Sequence, residues 1–169
     1  TEGSNYYSVN CIGLGLPTDV CVSGNKYKKY MGKAAYTASA LAEIMRFKPF
    51  HTKLEVDKQT YEFEAALANF SNSTIFGGNM KISPDSIIDD GEIECVVLEN
   101  LPKGELLKAL PSVYSGKHLS NPHIKVYKGK HFKLETFPEK ILNPEGEIFG
   151  VTPIEVRVLP KRIEMFVNN

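Results

Sequence analysis

The stretch Lys53-Leu54-Glu55-Val56-Asp57-Lys58-Gln59-Thr60-Tyr61-Glu62-Phe63-Glu64-Ala65 decides the fold. Leu54 and Val56 alternate with charged neighbours, and Tyr61 and Phe63 do the same. A period of two puts alternate side chains on one face of a strand. Two such runs around Asp57 to Gln59 read as an antiparallel hairpin, its second strand continuing through Ala65 to Asn69.

Upstream, Tyr6 to Leu14 reads as a strand running into a turn at Gly13 and Gly15. Between Met31 and Phe47, Ala34, Ala38, Leu41 and Met45 recur at helical spacing, and Pro49 stops the helix. Downstream, Gly77 to Gly91 is a turn-rich loop, after which Ile93, Cys95 and Val97 line one face of a strand. Pro102 to Tyr114 is a second helix, with Leu106, Leu107, Leu110, Val113 and Tyr114 as its apolar stripe and Gly116 at its end. Strands then follow at Ile124 and Val126, at Phe132 and Leu134, at Ile154, Val156 and Val158, and at Ile163, Met165 and Val167. The expected fold is mainly β (α+β), a two-sheet antiparallel β-sandwich-like domain with two helices, forming one domain over residues 1–169.

The 169 residues carry 20 basic and 20 acidic side chains, so the broad positive field of a dedicated nucleic-acid binder is absent. Cys11, Cys21 and Cys95 form no CxxC pair, which argues against a disulfide or zinc scaffold and fits a reducing cytoplasm. No apolar run approaches the roughly 20 residues that span a bilayer. The chain opens on Thr1 and enters a strand-like stretch almost at once, as a fragment of a longer protein would.

Three stretches can carry chemistry. In Gly77-Gly78-Asn79-Met80-Lys81-Ile82-Ser83-Pro84-Asp85-Ser86-Ile87-Ile88-Asp89-Asp90-Gly91, Asp85, Asp89 and Asp90 sit among turn-formers. Such a loop either wraps a hard cation with carboxylates and carbonyls or is a surface turn that uses Asp for its own geometry. In Asn143-Pro144-Glu145-Gly146-Glu147, an extended backbone would place Glu145 and Glu147 on one face. Paired carboxylates there serve as a general base or as magnesium ligands, or they are solvated turn residues. Lys26, Lys28, Lys29 and Lys33, mixed with Tyr27 and Tyr30, are a solvated patch or a contact for phosphate or anionic lipid. His51, His118, His123 and His131 have no metal-ligand spacing, and Gly13-Leu14-Gly15 lacks the third glycine of a dinucleotide loop.

The order of these pieces resembles the C-terminal half of the diacylglycerol kinase catalytic family, which includes bacterial lipid kinases and sphingosine kinases. The match is carried by Asn10-Cys11-Ile12-Gly13-Leu14-Gly15, by Lys33-Ala34-Ala35-Tyr36, by Gly77-Gly78 with Ile82-Ser83-Pro84-Asp85 and Asp89-Asp90-Gly91, and by Glu145-Gly146-Glu147. It covers about residues 5–167. The resemblance implies an ATP-dependent lipid kinase in which Glu147 takes the proton of the lipid hydroxyl. Glu145, where the family usually has Asp, would contact the nucleotide or its metal. A structural Mg²⁺ would be held by the Asp85 side chain and the carbonyls of Ile82 and Ile87.

The family's Gly-Gly-Asp-Gly-Thr nucleotide loop belongs to an N-terminal domain, and no such string occurs in this chain. The expected partners are therefore that nucleotide-binding domain with its ATP, a lipid substrate, a transient membrane surface, and a second copy paired along exposed sheet edges. By itself the chain is expected to be a partial, inactive enzyme, cytoplasmic and peripheral to the membrane. Two other functions fit the residues: an NAD kinase-like domain, and a non-catalytic β-sandwich module that binds a ligand or partner.

Overall fold

The computed structural model describes residues 5–32 and 34–164. β1 (Cys11–Gly15) runs straight into α1 (Leu16–Met31), and α2 (Ala34–Arg46) packs against α1. β2 (Phe50–Val56), β3 (Gln59–Ser71) and β4 (Ile93–Glu99) follow, the last two separated by the turn-rich loop. α3 (Lys103–Ala109), α4 (Ser112–Ser115) and a 3₁₀ turn (Lys117–Ser120) precede β5 (Ile124–Gly129), β6 (His131–Phe137), β7 (Leu142–Pro144) and β8 (Ile154–Arg157).

The hairpin that opened the sequence forms in register, with Leu54 opposite Tyr61 and Val56 opposite Gln59. Its two turn residues, Asp57 and Lys58, have φ of 45° and 82°, the left-handed geometry that matches the twist of a two-residue hairpin. The Asp57 carboxylate accepts hydrogen bonds from the backbone amides of Lys130 and His131, which fastens this turn to the β5–β6 turn.

β3 organises the rest. Its first half, through Ala65, pairs with β2, and its second half, from Leu67, pairs with β1. The β3–β4 register slips between Ala65 and Leu67, a bulge that bends the strand. The eight strands therefore make one continuous antiparallel sheet in the order β5-β4-β3-β2-β6-β8, with β1 between β3 and β7, folded so that two layers face each other. Leu14, Phe50, Leu54, Phe70, Cys95, Val97, Phe132 and Leu134 fill the space between the layers. The Phe70 edge meets the Phe132 ring at a centroid distance of 5.4 Å and 73°. Burying each such ring contributes roughly 1.5–3 kcal/mol. A second core of Leu16, Ile44, Ala66, Leu98, Leu101 and Leu106 lies on the outer face, under the helices.

The mainly β, sandwich-like architecture is as expected, and the helices differ. The segment after β1 is not a turn but α1, and the expected helix at 31–47 is the second arm of a helical pair. Gly15, at φ +76°, lets the chain pass from strand to helix without a loop, and Pro17 and Asp19 suit the first turn of α1. The helix expected over 102–114 is split into α3 and α4 at Pro111, which has no amide to donate. It ends at Gly116, φ +76°, as its glycine suggested. β1 begins at Cys11 rather than Tyr6, and Ile163 is not in a strand. Met165 and Val167 lie outside the described residues.

Candidate functional site

β7 positions the carboxylate pair. Leu142, Asn143 and Pro144 pair with Leu14, Gly13 and Ile12 of β1, so the following turn sits beside the β1–α1 junction. Glu145 and Gly146 both have left-handed φ, 53° and 86°, and the Glu147 amide donates to the Pro144 carbonyl at 2.8 Å. The expected extended backbone is thus a tight reverse turn, and Glu145 and Glu147 do not alternate along a strand. The glycine between them supplies the second left-handed residue.

The two glutamates have different surroundings. Glu145 Oε1 accepts hydrogen bonds from the Val9 and Asn10 amides at 2.8 and 2.7 Å and from the Ser8 hydroxyl. Its own amide donates to the Cys11 carbonyl at 3.0 Å. Partial burial pushes its carboxyl upward, but the donors from Ser8, Asn10 and Val9 outweigh this and hold it below the usual carboxylate range. Glu147 is exposed, and its carboxylate makes no hydrogen bond or ion pair among the described residues. Against the turn lies α1, whose Cys21 thiol donates to the Gly146 carbonyl at 3.6 Å.

One residue of this region escaped the sequence reading. Asp19, in the first turn of α1, is half-buried, and that burial pushes its carboxyl up against the opposing pull of Lys140, with Glu43 adding to the rise. A carboxyl perturbed by burial beside a basic side chain is a mark of functional sites. The available signal was helix-start chemistry, Pro17 followed by Asp19, in a stretch read as a turn. Lys140 Nζ also stands 4.7 Å from the Phe50 ring centroid.

The second expected site, the loop before Gly91, is held from inside. His118 is buried, and its Nε2 lies 3.0 Å from the Ile82 carbonyl. The Ile87 carbonyl accepts the Asp90 amide at 3.4 Å, and the Asp85 side chain is exposed. Each carbonyl oxygen keeps a second lone pair, so one carboxylate and two carbonyls remain a donor set suited to a hard cation that retains waters. No group of three His, Cys, Asp or Glu side chains gathers for metal ligation among the described residues. The neighbouring carboxylates gather around one lysine. Lys128 Nζ is 2.7 Å from Asp90, 3.7 Å from Glu92 and 3.1 Å from the buried Glu94, while the Ser86 hydroxyl donates to Glu94. Hydrogen bonding to Asp90 and Glu94 holds Lys128 above the usual lysine range, and hydrogen bonding to Lys128 holds Asp90 below the usual carboxylate range.

Two shallow grooves, of about 200 and 350 Å³, lie elsewhere. One is lined by β6 and β8 residues, including Leu134 and Ile154, and the other by Val56, Tyr61 and Tyr127 among others, with Glu147 in neither.

Residues 10–167 match the family model described as the YegS C-terminal NAD kinase beta sandwich-like domain. The chain belongs to this family. As a YegS C-terminal domain it is similar to the diacylglycerol kinase of Staphylococcus haemolyticus, at 26% identity over 163 residues, 96% of this chain and 49% of that protein. Against the diacylglycerol kinase of Bacillus subtilis the identity is 25% over 160 residues, covering 94% and 53%. A solved Bacillus anthracis structure superposes with a TM-score of 0.65 at 26% identity, covering 90% of this chain and 51% of the other. The YegS-type domain thus spans about half the length of the curated relatives it matches. No helix among the described residues is long and apolar enough to cross a membrane.

Proposed function

We propose that this domain is the acceptor-side half of an ATP-dependent lipid kinase, acting on diacylglycerol or a related lipid alcohol. The observation that carries the proposal is the turn at Pro144 to Glu147. The Glu145 carboxylate is engaged by the Val9 and Asn10 amides, while the neighbouring Glu147 carboxylate is exposed and, among the described residues, unengaged. The names of the relatives support a lipid acceptor over the soluble dinucleotide of an NAD kinase.

In this reading Glu147 accepts the proton of the lipid hydroxyl as that oxygen attacks the terminal phosphorus of ATP. The bond to the bridging oxygen breaks, and ADP leaves with the electron pair. Glu145 stands ionised beside it, and its second oxygen would contact the nucleotide or its metal. Asp85 and the carbonyls of Ile82 and Ile87 would hold Mg²⁺, which orders the loop by its charge. ATP itself is held by an N-terminal nucleotide-binding half, and the enzyme works peripherally at a membrane surface, as a monomer or a homodimer. The domain alone contributes acceptor chemistry and no turnover.

The test is phosphoryl transfer from ATP to diacylglycerol by the full-length protein. Glu147→Gln is expected to lower turnover on the order of 10²-fold or more. Unchanged turnover removes Glu147 from the reaction, and phosphorylation of NAD in place of the lipid replaces the acceptor class.

A further inference from the structure

Asn69 of β3, Gly13 of β1 and Asn143 of β7 stand directly opposite one another across three neighbouring strands. Directly opposed residues share a face of the sheet. The next row, Ala68, Leu14 and Leu142, points into the core between the layers, so the asparagine row lies on the opposite, helix-bearing face. Thr18 ties α1 to this row, its hydroxyl donating to the Gly13 carbonyl at 3.3 Å. Both asparagines are 1% exposed.

Asn69 Nδ2 donates to Ser71 Oγ at 2.6 Å, and its Oδ1 is turned toward Gly13, where a Cβ would stand 3.3 Å from it. Neither Asn69 Oδ1 nor Asn143 Oδ1 has a hydrogen-bond partner among the described residues. A buried amide oxygen without a donor is costly, and a buried water with two to four polar partners is the usual remedy. β3 and β7 stand two strand spacings apart, roughly 9.6 Å. One water donating to two oxygens spans about 5.5 Å of that distance, and Gly13 brings no side chain between the two amides. Two acceptors match the two hydrogens of one water, whereas a metal cation calls for more oxygens than this row offers.

We propose that a buried water bridges Asn69 Oδ1 and Asn143 Oδ1 over Gly13, and that the two asparagines are thereby positioning residues for the turn at Pro144 to Glu147. β7 needs such a tie. It is three residues long, pairs with β1, and ends in Pro144, which has no amide to donate. The bridge extends its hold one strand further, to β3 at the centre of the sheet. The catalytic purpose of this tie rests on the lipid-kinase reading, and its geometry does not.

The test is a high-resolution crystal structure of the full-length protein, with hydrogen exchange measured on the wild type, Asn143→Leu and Asn69→Leu. Density for a single water within hydrogen-bond distance of both amide oxygens is expected. A direct contact between the amides, or a side chain of the N-terminal half in that place, overturns the proposal. The Glu147 amide, bonded to the Pro144 carbonyl at 2.8 Å, is expected to exchange about tenfold faster or more in both variants, while the amides of β6 keep their wild-type rates. Acceleration of turn and β6 amides alike means that the asparagines serve stability in general and overturns the positioning role, as does an unchanged Glu147 rate in Asn69→Leu. A wild-type protein without kinase activity removes the reaction but not the bridge, which the density and the exchange rates decide.

Discussion

Glu145 shows how the reach of a side chain decides its partners. Its arm reaches back to the Val9 and Asn10 amides and the Ser8 hydroxyl. Exposed as it is, a carboxylate satisfied by backbone donors contributes on the order of 1 kcal/mol after solvent screening. His118 makes a different contribution, one that depends on pH. Burial pulls its titration below the ordinary 6.5, and the hydrogen bond to the Ile82 carbonyl only partly offsets this. The unfolded chain therefore takes up a proton near pH 6.5 that the native imidazole refuses. Stability is fully present above that pH and declines as the pH falls below it toward the native value. Denaturation midpoints measured from pH 7 to pH 5 should fall in the wild type and fall less steeply in His118→Gln; equal slopes would mean that the ring carries no such linkage. Glu145 acts in the same direction but only at more acid pH, because its stabilising ionised form is lost as the pH drops through its lowered native value.

At the scale of elements, the β1–α1 junction is the most constrained point near the site. A Cβ at Gly15 would stand 2.6 Å from the Ala66 carbonyl oxygen and 2.9 Å from a Phe50 ring carbon, on a backbone at φ +76°. Gly15→Ala should cost about 2–4 kcal/mol. Gly32→Ala, also at positive φ but with nothing within 4 Å, should cost about 1 kcal/mol. Thermal melts of the two variants check the difference, and equal losses would mean that the close approach to Ala66 is relieved by local movement. The strands were legible because Leu54, Val56, Tyr61 and Phe63 alternate in sight of a turn. α1 was not, because Pro17, Ser23, Gly24 and Asn25 lower its helix propensity, and its formation rests on packing Leu16 and Val20 against the second core. The reverse turn at Glu145 was hidden for a related reason: Glu at φ 53° is an unusual choice, held in place by contacts from residues more than a hundred positions away. The apolar spacing of α2 was read correctly as helical, but periodicity alone does not say which face meets the core, and Leu41 and Met45 face outward.

For the whole molecule, the match to half-length portions of larger relatives fits the proposal that this domain is one half of a kinase. In that proposal the exposed Glu147 takes the proton and an N-terminal half holds the triphosphate. The domain's own integrity depends on β3, whose two halves serve opposite layers across the slip at Ala65 and Leu67. Removing either layer strips partners from the same thread, so there is no seam along which the domain can come apart in stages. Scanning calorimetry of the isolated chain should give one endotherm whose directly measured heat equals the value inferred from its sharpness, whereas two endotherms would mean that each layer melts independently.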